Sequence, residues 1–214
     1  MAPCYNEERG GMNRRAYLKT LGVLSAAAVL SLSGSFVGSA DSQSVTVLVT
    51  YHSASGNTEK MAQGVVEGVK VVSDTTAVLK RVGDVTGSDL LFSDAVIVGS
   101  PVYFGNMSGE VKMFLDNWTL KFDVFRDRKM RNKVGGAFAA GAAVSNGKEV
   151  TILTILGAML INQMIVVSGG GGFGASATTG PDSPGVDEKE MAEARELGKR
   201  VAEIAAVVKR GSSK

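Results

Sequence analysis

The chain has 214 residues, 44% of them hydrophobic, and a formal net charge of +2, which fits one domain with appendages. One cysteine and one histidine exclude a disulfide framework, a thiolate cluster and a histidine-based metal centre. The near-balanced charge offers no basic surface for nucleic acid and no acidic surface for steering a cationic partner.

The first forty residues differ from the rest. Arg14 and Arg15 lead into the apolar stretch Leu21–Leu32, and a small-residue segment ends at Gly38-Ser39-Ala40. A charged head, a short apolar stretch and a small-x-small end form an export signal, and the stretch is too short for a spanning helix. The run Asn13–Lys19 resembles a twin-arginine address. Residues 1–40 are therefore expected to be leader, 41–214 the folded domain, and the destination the periplasm or the cell exterior, with no stable membrane span once the leader is cut. If the signal is not used, the protein stays in the cytoplasm. Translation from Met12 would omit Cys4; either way, the mature chain has no thiol. The leader holds four basic and two acidic residues, which leaves nineteen of each and a neutral domain.

The domain opens with the β-branched run Val45–Thr50, which reads as a buried parallel strand. It empties through Tyr51-His52 into Ser53-Ala54-Ser55-Gly56-Asn57-Thr58. A helix follows, with Met61, Val65 and Val69 on one face. The loop thus sits at a helix N-terminus, where free N–H groups and the positive dipole end favour an anion. Ser53, Ser55, Asn57 and Thr58 add side-chain donors. The loop has neither the lysine of a P-loop nor the three glycines of a dinucleotide fingerprint. It suits a phosphate held by dipoles and parked permanently, as in a cofactor. The competing reading is a plain helix start capped by Ser55 or Asn57. His52 is read as a capping or packing residue beside the loop.

A second strand is expected over Thr76–Arg81 and a third, buried, over Asp94–Gly99. Ser100–Gly109 forms the next loop. There Pro101 restrains the backbone, Tyr103 and Phe104 offer aromatic faces, and Gly105-Asn106 can take positive φ. With Val102 these residues form a site for a planar heterocycle; otherwise the aromatics are core and Asn106 caps the following helix. That helix runs over Ser108–Trp118. A strand over Lys133–Ala140, a helix over Lys148–Leu160, a strand over Met164–Ser168, a long loop over Gly169–Gly185 and a helix over Asp187–Lys209 complete the chain. Alternating βα units imply an open parallel sheet whose ligands bind beyond the carboxyl ends of the strands.

The segment Gly99–Val111, Gly-Ser-Pro-Val-Tyr-Phe-Gly-Asn-Met-Ser-Gly-Glu-Val, resembles the flavodoxin-fold NAD(P)H:quinone oxidoreductases of the WrbA type. The likeness extends to Phe114-Leu115-Asp116, Gly147-Lys148-Glu149, Phe173–Ser176 and Ala194–Ala202, and covers residues 45–206 in order. It implies a doubly wound five-stranded parallel sheet of order 2-1-3-4-5 binding FMN. Ser53, Ser55, Gly56, Asn57 and Thr58 would hold the phosphate, and Pro101, Val102, Tyr103, Phe104, Gly105 and Asn106 would line the ring. Ala140, Gly141 and the residues to Gly147 would supply backbone contacts. NAD(P)H would be the donor and a quinone-like molecule the acceptor, with a flavodoxin-type electron carrier as the alternative. The chain departs from the family in two places where it is shorter, Val82–Ser93 and the stretch before Phe173; this leaves both dimer and tetramer open. It also departs at Ile161-Asn162, where the family has a His-His pair.

Overall fold

The structure is a computed structural model, and it describes residues 44–169, 172–181 and 183–212. The leader expected over residues 1–40 lies outside the described residues. Among the described residues the strands are β1 (Val45–Tyr51), β2 (Thr75–Arg81), β3 (Ala95–Tyr103), β4 (Asn106–Met107), β5 (Val134–Gly141), β6 (Ile165–Val166) and β7 (Ala175–Thr178). The helices are α1 (Asn57–Lys70), α2 (Gly87–Phe92), α3 (Gly109–Leu120), α4 (Lys148–Ile161) and α5 (Glu188–Ser212).

The sheet runs in the order β2-β1-β3-β5-β6, all parallel, with β4 folded back antiparallel on β3 and β7 parallel on β5. This is the expected flavodoxin-like ladder, the extra short strand β4 accounting for the change in strand numbers. β1, β3 and β5 are buried on both faces, as their apolar runs require. On one face α1 and α5 pack over Val47, Val49, Ile97 and Phe138. On the other, α2, α3 and α4 pack over Leu48, Val96 and Val98. Fully burying side chains of this size contributes roughly 1.5–3 kcal/mol apiece. α1 and α5 approach closely through reciprocal notches: a Cβ on Gly68 would stand 1.9 Å from the Arg195 carbonyl, and one on Gly198 would stand 2.0 Å from that of Val65.

Several elements differ from the sequence expectation. The strand expected over Met164–Ser168 pairs only through Ile165 and Val166, against Val134 and Gly135, while Phe138–Gly141 pair with β7. β7 falls inside the expected loop because Ala-Ser-Ala-Thr carries no β-branched run to announce it. The short α2 also lies outside the expected elements. Its signal is the spacing Thr86-Gly-Ser-Asp89: the Thr86 hydroxyl accepts from Asp89 N, and the Asp89 carboxylate accepts from Thr86 N, a closed capping box. Among the described residues no helix is long and apolar enough to cross a membrane, and no group of three or more His, Cys, Asp or Glu could hold a metal.

Candidate functional site

Three loops meet beyond the carboxyl ends of β1, β3 and β5. The first turns from β1 into α1. Ser53 is buried and its hydroxyl accepts from Gly56 N at 3.1 Å, which closes a tight turn. Gly56 stands at φ +91° as the residue preceding α1, and a Cβ there would meet no atom within 4 Å. Neither Ser55 nor Asn57 caps the helix; their side chains meet each other at 3.4 Å. The first intrahelical bond is from Lys60 N to the Gly56 carbonyl at 2.9 Å. The amides of Asn57, Thr58 and Glu59 lie ahead of it, without a side-chain cap, at the positive end of a 14-residue helix. Thr58 is buried at the same end. These residues fit a phosphate.

The register Tyr51↔Arg81 brings one cation to this loop that its own sequence lacks. The Arg81 guanidinium lies 5.5 Å from the Tyr51 ring centre and donates to the Ser53 carbonyl at 3.0 Å and to Glu59 at 2.8 Å. Arg81 braces the loop from behind, its charge already met by Glu59. Nothing local marks it, since only the parallel pairing of β1 and β2 places it there. Burial, and then the neighbouring Glu59 carboxylate, push the Tyr51 phenol above its ordinary pKa, so it stays protonated. The segment that leads into α5 closes the same loop, with Lys60 Nζ donating to the Val186 carbonyl at 2.7 Å.

The second loop is a hairpin. β3 continues through Pro101 and Val102 to Tyr103, which pairs with Asn106 of β4, and the turn residues Phe104 and Gly105 have φ +49° and +82°. Two consecutive positive φ values make a primed two-residue turn. Positive φ therefore falls on Phe104-Gly105 and not on Gly105-Asn106, because pairing holds Asn106 extended. Tyr103 is 42% exposed and Phe104 fully exposed, so neither is core. Asn106 does not cap α3. Its Oδ1 accepts from Met107 N and from the Thr154 hydroxyl, both at 2.8 Å, and Ser108 caps instead by accepting from Val111 N.

The third loop leaves β5. Ala140 and Gly141 lie inside the sheet, paired with Ala177 and Thr178, and the Gly141 carbonyl accepts from Thr179 N at 2.8 Å. The backbone leaves the sheet at Ala142. With its amide oriented to satisfy both groups, Asn146 donates to the Ala143 carbonyl at 3.1 Å and accepts from Ala142 N at 2.9 Å. Gly147, at φ +99°, precedes α4, and a Cβ there would stand 2.5 Å from the Gly105 carbonyl oxygen. Hairpin and third loop thus touch backbone to backbone. Lys148 is 4% exposed and ties the loop down, donating to the Ala143 carbonyl at 3.1 Å and to the Thr178 hydroxyl.

His52 joins the first loop to the second. Its Nδ1 lies 3.0 Å from the Ser108 hydroxyl and 3.4 Å from the Glu110 carboxylate, and its ring meets the edge of Tyr103 at 6.2 Å. The expected packing role is visible, with the side chain aimed at the hairpin and not at the phosphate turn. Asn162, which stands where the resemblance places a His-His pair, donates to the Ala158 carbonyl at the end of α4. Together the loops offer amides for a phosphate, two aromatic faces and a backbone rim.

This arrangement has relatives. The model of the family described as NADPH-dependent FMN reductase matches residues 87–178, and that of the flavodoxin domain matches residues 48–121. An NAD(P)H dehydrogenase (quinone) of Geobacter metallireducens is 32% identical over 203 aligned positions, covering 76% of this chain and 98% of that one. An iron–sulfur flavoprotein of Methanocaldococcus jannaschii is 36% identical over 148 positions, covering 65% of this chain and 69% of that one. The crystal structure of the flavodoxin, WrbA-like protein from Agrobacterium tumefaciens superposes with a TM-score of 0.64 at 28% identity, covering 76% of this chain and 98% of that one.

Proposed function

Because the chain belongs to the NAD(P)H dehydrogenase (quinone) family, we propose that it is an FMN flavoprotein that takes electrons from NAD(P)H and passes them to a quinone-like acceptor. The observation that carries this reading is the meeting of the three loops: an uncapped helix start, an exposed aromatic hairpin and a glycine-closed rim within contact of one another. FMN, when bound, supplies the two-electron chemistry. The chain binds and orients it. The amides of Asn57, Thr58 and Glu59 hold the phosphate, and Tyr103 and Phe104 flank the ring. Lys148 and Asn146 fix the third loop so that its backbone meets the ring edge without reorganising. The single cysteine cannot supply the four thiolates of an iron–sulfur cluster, so this reading rests on flavin alone.

Residues 1–40 enter the same proposal as an export address. Nicotinamide nucleotides are cytoplasmic reductants, so an exported pool of the protein would draw on another donor.

The test is an anaerobic absorbance titration of the FMN-loaded chain with NADH and NADPH, followed by benzoquinone. Bleaching of the flavin band by a nucleotide and its return with quinone is the expected result. A flavin bleached by dithionite but untouched by either nucleotide would overturn the assigned donor and favour an electron carrier.

A further inference from the structure

Lys148 opens α4 at the third loop, and it is buried. Three things at this position work against a cation. Burial removes its water, Gly147 gives α4 no side-chain cap, and a helix start is the positive end of the dipole. Its Nζ donates to the Ala143 carbonyl at 3.1 Å and to the Thr178 hydroxyl, and neither partner carries a charge. Carboxylates lie in the same region but do not meet it. Glu149, the next residue, is exposed. Glu190 reaches Thr178 as well, but its carboxylate accepts from Thr178 N at 2.7 Å and from Asp187 N at 3.0 Å. Among the described residues Lys148 forms no ion pair. Tethering the loop does not require this cation either. Asn146, with its amide oriented as above, donates to the same Ala143 carbonyl at 3.1 Å. A buried cation kept without a counter-ion at a positive helix end fits a place where negative charge develops.

Resting on the function proposed above, we propose that Lys148 sets the reduction potential of the bound flavin, acting across the third loop. A flavin that takes up two electrons and one proton, which a hydride from NAD(P)H supplies, gains one negative charge on the pyrimidine part of its ring. That edge faces the third loop in the proposed function. Behind the loop stand the Lys148 ammonium and the amides of Lys148, Glu149 and Val150, which precede the first intrahelical bond, from Thr151 N to the Gly147 carbonyl at 2.9 Å. All are fixed in place with little water to screen them, so they favour the reduced cofactor over the oxidised one. Lys148 is in this sense a positioning residue: its charge acts on the cofactor through the loop, without touching it.

The experiment compares the FMN-loaded full chain with Lys148→Gln, Lys148→Met and Asn146→Ala. Two quantities are read: the two-electron midpoint potential, by dithionite titration against a reference dye, and the affinity for oxidised FMN, by fluorescence quenching. Both Lys148 variants are expected to lose about tenfold or more in preference for reduced over oxidised flavin, which reads as a potential lower by about 30 mV or more. Asn146→Ala loosens the loop but keeps the cation. It is expected to weaken binding of oxidised FMN and leave the potential at the parent value. Lys148→Gln retains a donor at this position, so it decides the matter if Lys148→Met does not fold. An unchanged potential in Lys148→Gln would overturn the inference, as would an equal drop in Asn146→Ala. Dithionite stands in for the nucleotide, so the readout does not depend on the donor. The expected drop in a chain whose flavin no nucleotide reduces would keep Lys148 in this role and remove the proposed donor. A parent chain that takes up no FMN would overturn both readings.

Discussion

Gly56 and Gly147 look alike in sequence, each just before a helix, yet the structure asks different things of them. Gly56 needs only its left-handed backbone, since no atom lies within 4 Å of a Cβ built there. Gly56→Ala is therefore expected to cost about 1 kcal/mol from φ alone. Gly147 needs φ +99° and also the space, because its Cβ would stand 2.5 Å from the Gly105 oxygen. Gly147→Ala should cost about 2 kcal/mol or more and also weaken FMN binding, by forcing the third loop off the hairpin. Urea denaturation with a parallel flavin titration separates the two cases. Asp89 is a residue-scale test of a different kind. Burial works to raise its pKa, but hydrogen bonds from Lys80 and Thr86 outweigh it and hold the carboxyl below its ordinary value. A group depressed in the folded state contributes stability above its unfolded pKa, about 3.9, and loses it as pH falls through the folded value. Asp89→Asn should therefore cost about 1–2 kcal/mol near neutrality, with the gap to the parent closing below about pH 4. A gap independent of pH would show that the carboxylate charge contributes nothing.

At the scale of elements, the hairpin carries a local conflict. A primed two-residue turn favours Asn-Gly, yet Phe104 takes the first position at φ +49° with its ring fully exposed. It gains no burial in return. Phe104→Asn should raise stability by about 1 kcal/mol and at the same time weaken FMN binding. Higher thermal stability with unchanged flavin affinity would remove Phe104 from the site. The hairpin also shows how far the sequence could be read. Strands such as Ala95–Tyr103 announce themselves by continuous apolar runs, and the loop after β1 announces itself by its hydroxyls and the helix behind it. What the sequence hid was set by pairing. β3 runs on to Tyr103 because β4 folds back on it, and β7 is a strand only because Phe138–Gly141 leave an edge that β6 does not fill. Arg81 was legible as a charged strand end but not as a brace for the phosphate turn, since its position depends on pairing with a strand distant in the sequence.

At the scale of the whole molecule, the core of the described domain lies between elements that run from Val45 to Ser212. Both sheet faces are covered, one by α1 and α5 and the other by α2, α3 and α4, and β1 is paired on both sides by β2 and β3. Every residue assigned to the flavin lies between Ser53 and Lys148. A chain that begins at residue 41 should therefore keep the FMN affinity and the melting temperature of the full chain. A large loss of either would make residues 1–40 part of the fold. The leader's own role is tested in the full chain. If Arg14 and Arg15 form an export address read by a receptor, replacing both with lysine keeps the charge but removes the guanidinium pair. Cell fractionation should then move the protein from the periplasm to the cytoplasm, with its flavin still bound. An unchanged distribution would show that the arginine pair is not the export address, and a parent chain found only in the cytoplasm would remove any need for a second electron donor.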